Sequence, residues 1–311
     1  MKKNVLLTPL LMTFGFLTFG FNAKATAHCS KPDVSSVLSS FDELKSLTGK
    51  NRPAWSSTKS VLKIYEPEQL STKMQVVIVP PTGGENFLDR YLAENLCHAG
   101  IRSLILTYNS VYPTLTRNLR VHDLAAEEFL AQLELVLREQ SNPTMMIGAS
   151  LGGLFSSIAY GIASNNGFTN SYPLAFKPTA IVSQVNGAVL TVTGGSLSEI
   201  LTDSWIPNAI LQRLDRFIAN PMSHDQYQAS LSDAILLDTL KLTNPQFSKN
   251  ILFFEGKLDV IVPTTTQDQL WQAWGRPERK RFLLGHPETI FYVYKFEVEN
   301  IRDFILNRFP R

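Results

Sequence analysis

The chain reads as an α/β protein, a mostly parallel sheet flanked by helices with a helical insertion over it, and three observations predict this. Apolar runs of strand length alternate with longer segments of helical period, as in a parallel sheet covered by helices. The 311 residues, 44% of them hydrophobic, are enough to bury one large core. The third observation is the GxSxG pentapeptide Gly148 to Gly152, which comes after the apolar run Met145 to Ile147 and precedes the small, helix-compatible stretch Gly153 to Ala159. A strand that turns this sharply into a helix needs glycine on both sides of the central residue, here Gly148 and Gly152, and the turn pushes the Ser150 hydroxyl outward.

At the start of the chain, Lys2 and Lys3, the apolar stretch Val5 to Phe21 and the small residues Ala23, Ala25 and Ala27 read as a signal peptide over 1–27, removed after Ala25 or Ala27. Pro9, the glycines and the alanine-rich exit favour cleavage over an uncleaved anchor. His28, in the place before Cys29 where a small residue is needed, disfavours a lipoprotein signal. Residues 28–60 form an N-terminal segment, and the folded domain runs over 61–311. Nothing in the mature chain looks membrane-spanning, and the expected location is exported, periplasmic or secreted.

Gln75 to Val79 is a β-branched run ended by Pro80, and Leu88 to His98 has helical spacing with Gly100 as its stop. Ser103 to Thr107 is the next strand. A helix spans about His122 to Glu139, with Leu124, Ala125, Phe129, Leu130, Leu133, Val136 and Leu137 in one stripe. After the helix that Ser150 opens, Thr179 to Val185 and Ile251 to Phe254 read as strands. Between about Val189 and Pro245 no strand is evident. There Leu197, Ile200, Leu201, Trp205, Ile206, Ile210, Leu211, Leu214 and Phe217 recur at helical spacing, which marks a helical cap insertion. Arg281 to Leu284 is a short last strand and Tyr292 to Phe309 a terminal helix ended by Pro310.

The formal charge of +2, with no run of five like charges, gives no sign of nucleic acid or an anionic membrane as main partner. Two cysteines, Cys29 and Cys97, allow one intramolecular disulfide in an oxidising compartment; the alternative is a buried apolar thiol at Cys97. Neither has metal-ligand spacing, and no metal site is expected.

From about Val61 to its end the chain resembles the α/β-hydrolase superfamily of serine esterases and lipases, on the strand, serine-bearing turn and helix around Ser150. The resemblance implies the chain order serine, acid, histidine. In Glu255-Gly256-Lys257-Leu258-Asp259-Val260-Ile261-Val262-Pro263, similar to that family's acid motif, the acid falls on Asp259, with Glu255 its nearest competitor. His286, just after the run Phe282 to Leu284, takes the place of the histidine; His28, His98, His122 and His224 do not follow a core strand in that order. A serine hydroxyl needs an imidazole to accept its proton, and the imidazole needs a carboxylate to fix its tautomer. The resemblance also implies an oxyanion hole from the Leu151 N–H and an amide of the loop after Val79, Thr82 first and Gly83 next. Here the chain departs from the family pattern, because Pro80 and Pro81 stand where His-Gly is usual; proline has no N–H, but the proposed donors remain.

The function implied by the resemblance is that of an exported serine hydrolase of carboxylic esters, with an acyl-enzyme intermediate, no cofactor, and a small-molecule or lipid-like ester as partner. A peptidase or thioesterase with the same triad is the alternative within enzymes. A non-catalytic exported protein that binds an apolar ligand in the capped cleft is the alternative outside them. The stripe of the insertion reads as core packing or as the lining of an acyl pocket, and Trp271 and Trp274 as packing residues.

Overall fold

The computed structural model describes residues 28–36, 61–108, 120–169, 172–205 and 222–309. The signal-peptide segment, most of 28–60 and the part of the insertion stripe from Ile206 to Phe217 lie outside the described residues.

In chain order the elements are β1 (Asp33–Ser36), β2 (Val61–Tyr65), β3 (Gln75–Val79), α1 (Phe87–His98), β4 (Arg102–Leu106), α2 (Arg120–Gln140), β5 (Thr144–Ala149) and α3 (Leu151–Ser164). Then come α4 (Thr179–Gln184), β6 (Val185–Thr191), α5 (Leu197–Asp203), α6 (His224–Ala234), β7 (Ile251–Gly256), α7 (Thr264–Ala273), β8 (Glu278–Phe282), α8 (His286–Phe296) and α9 (Val298–Arg308). Short 3-10 turns cover Pro81–Gly83, Thr239–Leu242 and Pro245–Asn250.

One eight-stranded sheet has the order β1-β2-β4-β3-β5-β6-β7-β8. β1 to β2 and β2 to β4 are antiparallel, and every later pairing is parallel. From β3 the chain goes to β4 on one side and then crosses to β5 on the other. The strand order therefore reverses between β3 and β5, and the crevice for a ligand lies at their C-terminal ends.

The strands are buried on both faces because helices cover both. In β3, Val77 and Val79 pack with Met146, Phe129 and Phe155 on the side of α2 and α3, while Val76 and Ile78 pack with Leu92, Ile147 and Val293 on the side of α1 and α8. Pro80 ends β3 because it cannot donate to the ladder. The N-terminal segment is tied to the domain by the β1–β2 pairing, by a β-bridge between Cys29 and Pro67, and by a disulfide between Cys29 and Cys97, the latter in the last turn of α1.

Several elements differ from the sequence expectations. Thr179 to Gln184 is a helix, and the strand is the next run, Val185 to Thr191. The β-branched residues suggested extension, but the buried Glu134 carboxylate accepts the Ala180 and Ile181 N–H groups at 3.0 Å each, satisfying amides that only a helical turn brings together. As a result Val189 to Thr191 belong to the sheet, and the helical insertion begins after them. The last strand is Glu278–Phe282 rather than Arg281 to Leu284; its charged sequence hides an edge strand. The terminal helix is two helices, broken at Glu297, the first starting at His286. β1, β2 and α7 had no counterpart among the expected elements.

Candidate active site

Ser150 follows β5 with φ 54° and ψ −123°, a conformation that is costly for a residue with a side chain. The flanking glycines make the turn sterically feasible. A Cβ on Gly148 would overlap the Gly152 carbonyl, and one on Gly152 would overlap the carbonyl oxygens of Val79 and Pro80. The first turn of α3 thus lies directly against the end of β3. Thr82 (φ 53°) and Val192 (φ 44°) are also in the left-handed region, so three adjacent strands, β3, β5 and β6, each run into a strained residue at the same edge.

α3 begins at Leu151 with no side-chain cap, so the Leu151 N–H is one of the helix's unpaired donors at the positive end of its dipole. The turn Pro81–Gly83 carries the other candidate donors, and the segment after it is anchored. Glu85 pairs with Lys63 of β2 at 2.6 Å, and Asn86 caps α1, accepting the Leu88 N–H at 2.7 Å while Asp89 accepts the Asn86 N–H at 2.9 Å. Those anchors were not read from the sequence; Asn86 three residues before Asp89 is the capping signal that would have revealed one of them.

Asp259 follows β7 and is 5% exposed. Its Oδ1 accepts the N–H groups of Ile261 and Val262, both at 2.9 Å, and its Oδ2 accepts from His286 Nδ1 at 2.7 Å and Gln267 Nε2 at 3.2 Å. His286, at the start of α8 and 8% exposed, faces the carboxylate with Nδ1, and in the neutral ring that donates from Nδ1 the other nitrogen, Nε2, is an acceptor. Gln267 also donates to the Val262 carbonyl at 2.8 Å and is the partner that sequence reading missed. Its only signal is a helix register, eight residues beyond Asp259 on α7.

Ser150, His286 and Thr82 line one pocket of about 240 Å³. The rest of its lining is apolar, chiefly Leu151 and Leu154 of α3, Leu197, Ile200 and Leu201 of α5, and Val262. The first part of the insertion stripe thus faces the site.

The competing residues are engaged elsewhere. Glu255 is buried at the end of β7 and holds Arg279 and Arg281 at 3.0 and 2.9 Å. His122 is buried with Nε2 3.1 Å from the Leu237 carbonyl, and burial pushes its pKa down. His224 is exposed beside Asp203 (2.8 Å) and then Asp225, which push its pKa up. His28 is 3.5 Å from Glu68 in an exposed pair, and His98 lies in the last turn of α1. Trp274 is buried, stacked on Tyr160, and Trp271 packs beneath the Arg279 guanidinium. Among the described residues there is no group of side chains arranged to hold a metal, and no helix long and apolar enough to cross a membrane.

No protein-family model matches the chain, and no curated protein matches it significantly. Solved structures do. The chain is similar to a truncated carbohydrate esterase from gut microbiota, at 13% identity and a TM-score of 0.57 over 91% of this chain and 97% of that one. It is similar to a thermophilic esterase from the Planctomycetes species Thermogutta terrifontis, at 14% identity and a TM-score of 0.56 over 89% and 92%. It is also similar to esterase B from Lactobacillus rhamnosis, at 13% identity and a TM-score of 0.53 over 92% and 87%. The fold is the α/β-hydrolase fold, as the resemblance implied.

Proposed function

We propose that this protein is an exported serine hydrolase that cleaves carboxylic esters, with Ser150 as nucleophile, His286 as base and Asp259 as the acid that orients it. The observation that carries the reading is the pocket shared by Ser150 and His286, with Nδ1 of His286 held 2.7 Å from the buried Asp259 carboxylate. In this mechanism His286 Nε2 takes the Ser150 proton as Oγ attacks the ester carbonyl. The developing oxyanion is met by the Leu151 N–H and by an amide of the Thr82–Gly83 turn. His286 then returns its proton to the leaving alcohol, and water activated by the same ring releases the acid from the acyl-enzyme.

Export is supported by the leader-like 1–27 segment and by the Cys29–Cys97 disulfide, which persists in an oxidising compartment. The test is exposure of the purified mature protein to a fluorophosphonate probe, followed by peptide mapping. The expected result is one adduct, on Ser150, with labelling and ester hydrolysis both abolished in a folded Ser150→Ala variant. Full activity in that variant removes the assignment.

A further inference from the structure

We infer that the pocket beside Ser150 receives an uncharged acyl group of about four to eight carbons, and that Leu197, Ile200 and Leu201 of α5 limit its length. This rests on the reading of Ser150 as nucleophile and adds to it the class of substrate.

The lining sets the chemistry of the occupant. Among the described residues, the only polar side chain besides Ser150 and His286 is that of Thr82, and no carboxylate, ammonium or guanidinium group faces the space. A charged acyl group would lie there without a partner, and a polyhydroxylated one would exchange water for too few hydrogen bonds, both at considerable cost. An aliphatic chain gains by entering.

The size sets the length. An apolar cavity of about 150 Å³ takes up one benzene, so about 240 Å³ holds about ten non-hydrogen atoms. The ester group itself fills the end at Ser150 and His286, and the rest is left for the tail.

The wall that closes the pocket is α5. Leu197, Ile200 and Leu201 recur at spacings of three and four, which puts them on one helix face, and all three are buried. Next to Ile200 the lining is close-packed at Gly194, where an added Cβ would overlap Ile200, Val262 and Thr266. The alcohol side differs. The loops that carry Asp259 and His286 turn Leu258, Val260 and Leu283 out to solvent, and Trp205, whose N–H donates to the Val260 carbonyl at 2.9 Å, is exposed as well. An alcohol protonated by His286 leaves toward this open rim, so the acyl half is the half that is measured.

Two ester series test this on the purified mature protein: p-nitrophenyl esters from acetate to palmitate, and butyrates of alcohols from methanol to hexanol. In the first, kcat/KM should rise about fourfold per methylene from acetate, peak between butyrate and octanoate, and fall beyond decanoate. Leu201→Ala should move the peak about two carbons longer, and Ile200→Phe should move it toward acetate. In the second series the spread should stay within about tenfold. A wild-type peak at acetate or palmitate, or selectivity that follows the alcohol, overturns the proposal while leaving the nucleophile assignment intact, since esters are still cleaved.

If no ester is cleaved, that assignment fails instead, and calorimetric titration with 1-hexanol and 1-hexadecanol judges the pocket alone. Tighter binding of hexanol, with the preference relaxed in Leu201→Ala, upholds the pocket's length limit. No binding, or preference for the longer alcohol, overturns it.

Discussion

Asp259 receives four hydrogen bonds, and two of them converge on one oxygen: Oδ2 accepts from both His286 and Gln267. Gln267 is fully buried and touches no pocket space, so it acts through the carboxylate, holding the rotamer that aims Asp259 at the imidazole. Gln267→Leu is expected to lower kcat about tenfold with KM held, because alignment in the transition state is lost while the acyl pocket is not. Steady-state kinetics on an accepted ester decides this; a loss confined to KM, or unchanged kinetics, removes the role. At this scale the sequence was informative about residues that end strands. Ser150 and Asp259 follow buried strands and His286 follows the edge strand β8, and a pattern of strand, loop and residue type survives in one dimension. Gln267 and Lys63 were invisible, because a helix register and a cross-strand ion pair exist only once the chain has folded.

Single helices show the same limit. The apolar stripe of α2 was legible and, apart from the half-buried Leu124, lies in the core, and acidic residues off that stripe are covered as well. Asp123 accepts the Leu236 and Leu237 N–H groups, Glu127 accepts the Tyr172 hydroxyl at 2.6 Å and the Ala175 N–H at 2.8 Å, and Glu134 caps α4. Carboxylates spaced for solvent were instead pairing with amides tens of residues away, which is also why α4 was misread as a strand. At the start of α1, Asp89 is fully buried, and its Oδ1 has no hydrogen-bond partner among the described residues. Burial pushes its pKa up from 3.8 to about 7, with Glu85 adding to the rise and the Asn86 N–H opposing it. The folded-state value lies above the unfolded one, so the folded protein keeps a proton that the unfolded chain loses. Stability should therefore fall as pH rises from about 4 to about 7 and level off above. Asp89→Asn retains the acceptor for Asn86 and cannot titrate. Its melting temperature should match the wild type near pH 4 and exceed it increasingly up to pH 7, by an amount equivalent to about 2–4 kcal/mol. Parallel melting profiles for the two proteins across that range would refute this account of Asp89.

On the scale of the whole molecule, the sheet's order and its switch point between β3 and β5 bring together three regions far apart in sequence: Pro81–Gly83, Ser150 and the α8 terminus. Alternation of strands and helices made this architecture legible. The antiparallel β1 and β2 were not, and the edge strand β8 was expected too late, at Arg281 to Leu284, since its charged residues hide where it starts. The covalent tie at the front of the described chain is the disulfide, which links positions 68 residues apart. Closing a loop of that size restricts the unfolded chain by about 4 kcal/mol, so the Cys29→Ser, Cys97→Ser double variant should melt roughly ten degrees lower than the oxidised wild type. Scanning calorimetry with and without dithiothreitol checks this, and a melting temperature indifferent to reductant would show that the bridge carries no such weight.

The bridge has a consequence for the protein's lifetime. Cys97 sits at the far end of the helix whose beginning anchors the Thr82 turn, so a chain held in a reducing environment keeps its residues but has a weaker grip on the region beside its site. A fold with less stability in reserve opens far more often, and each opening is a chance for a protease. Under the proposed export, copies kept in a reducing compartment would be cleared sooner than copies in an oxidising one, so durability would follow the redox state of the surroundings.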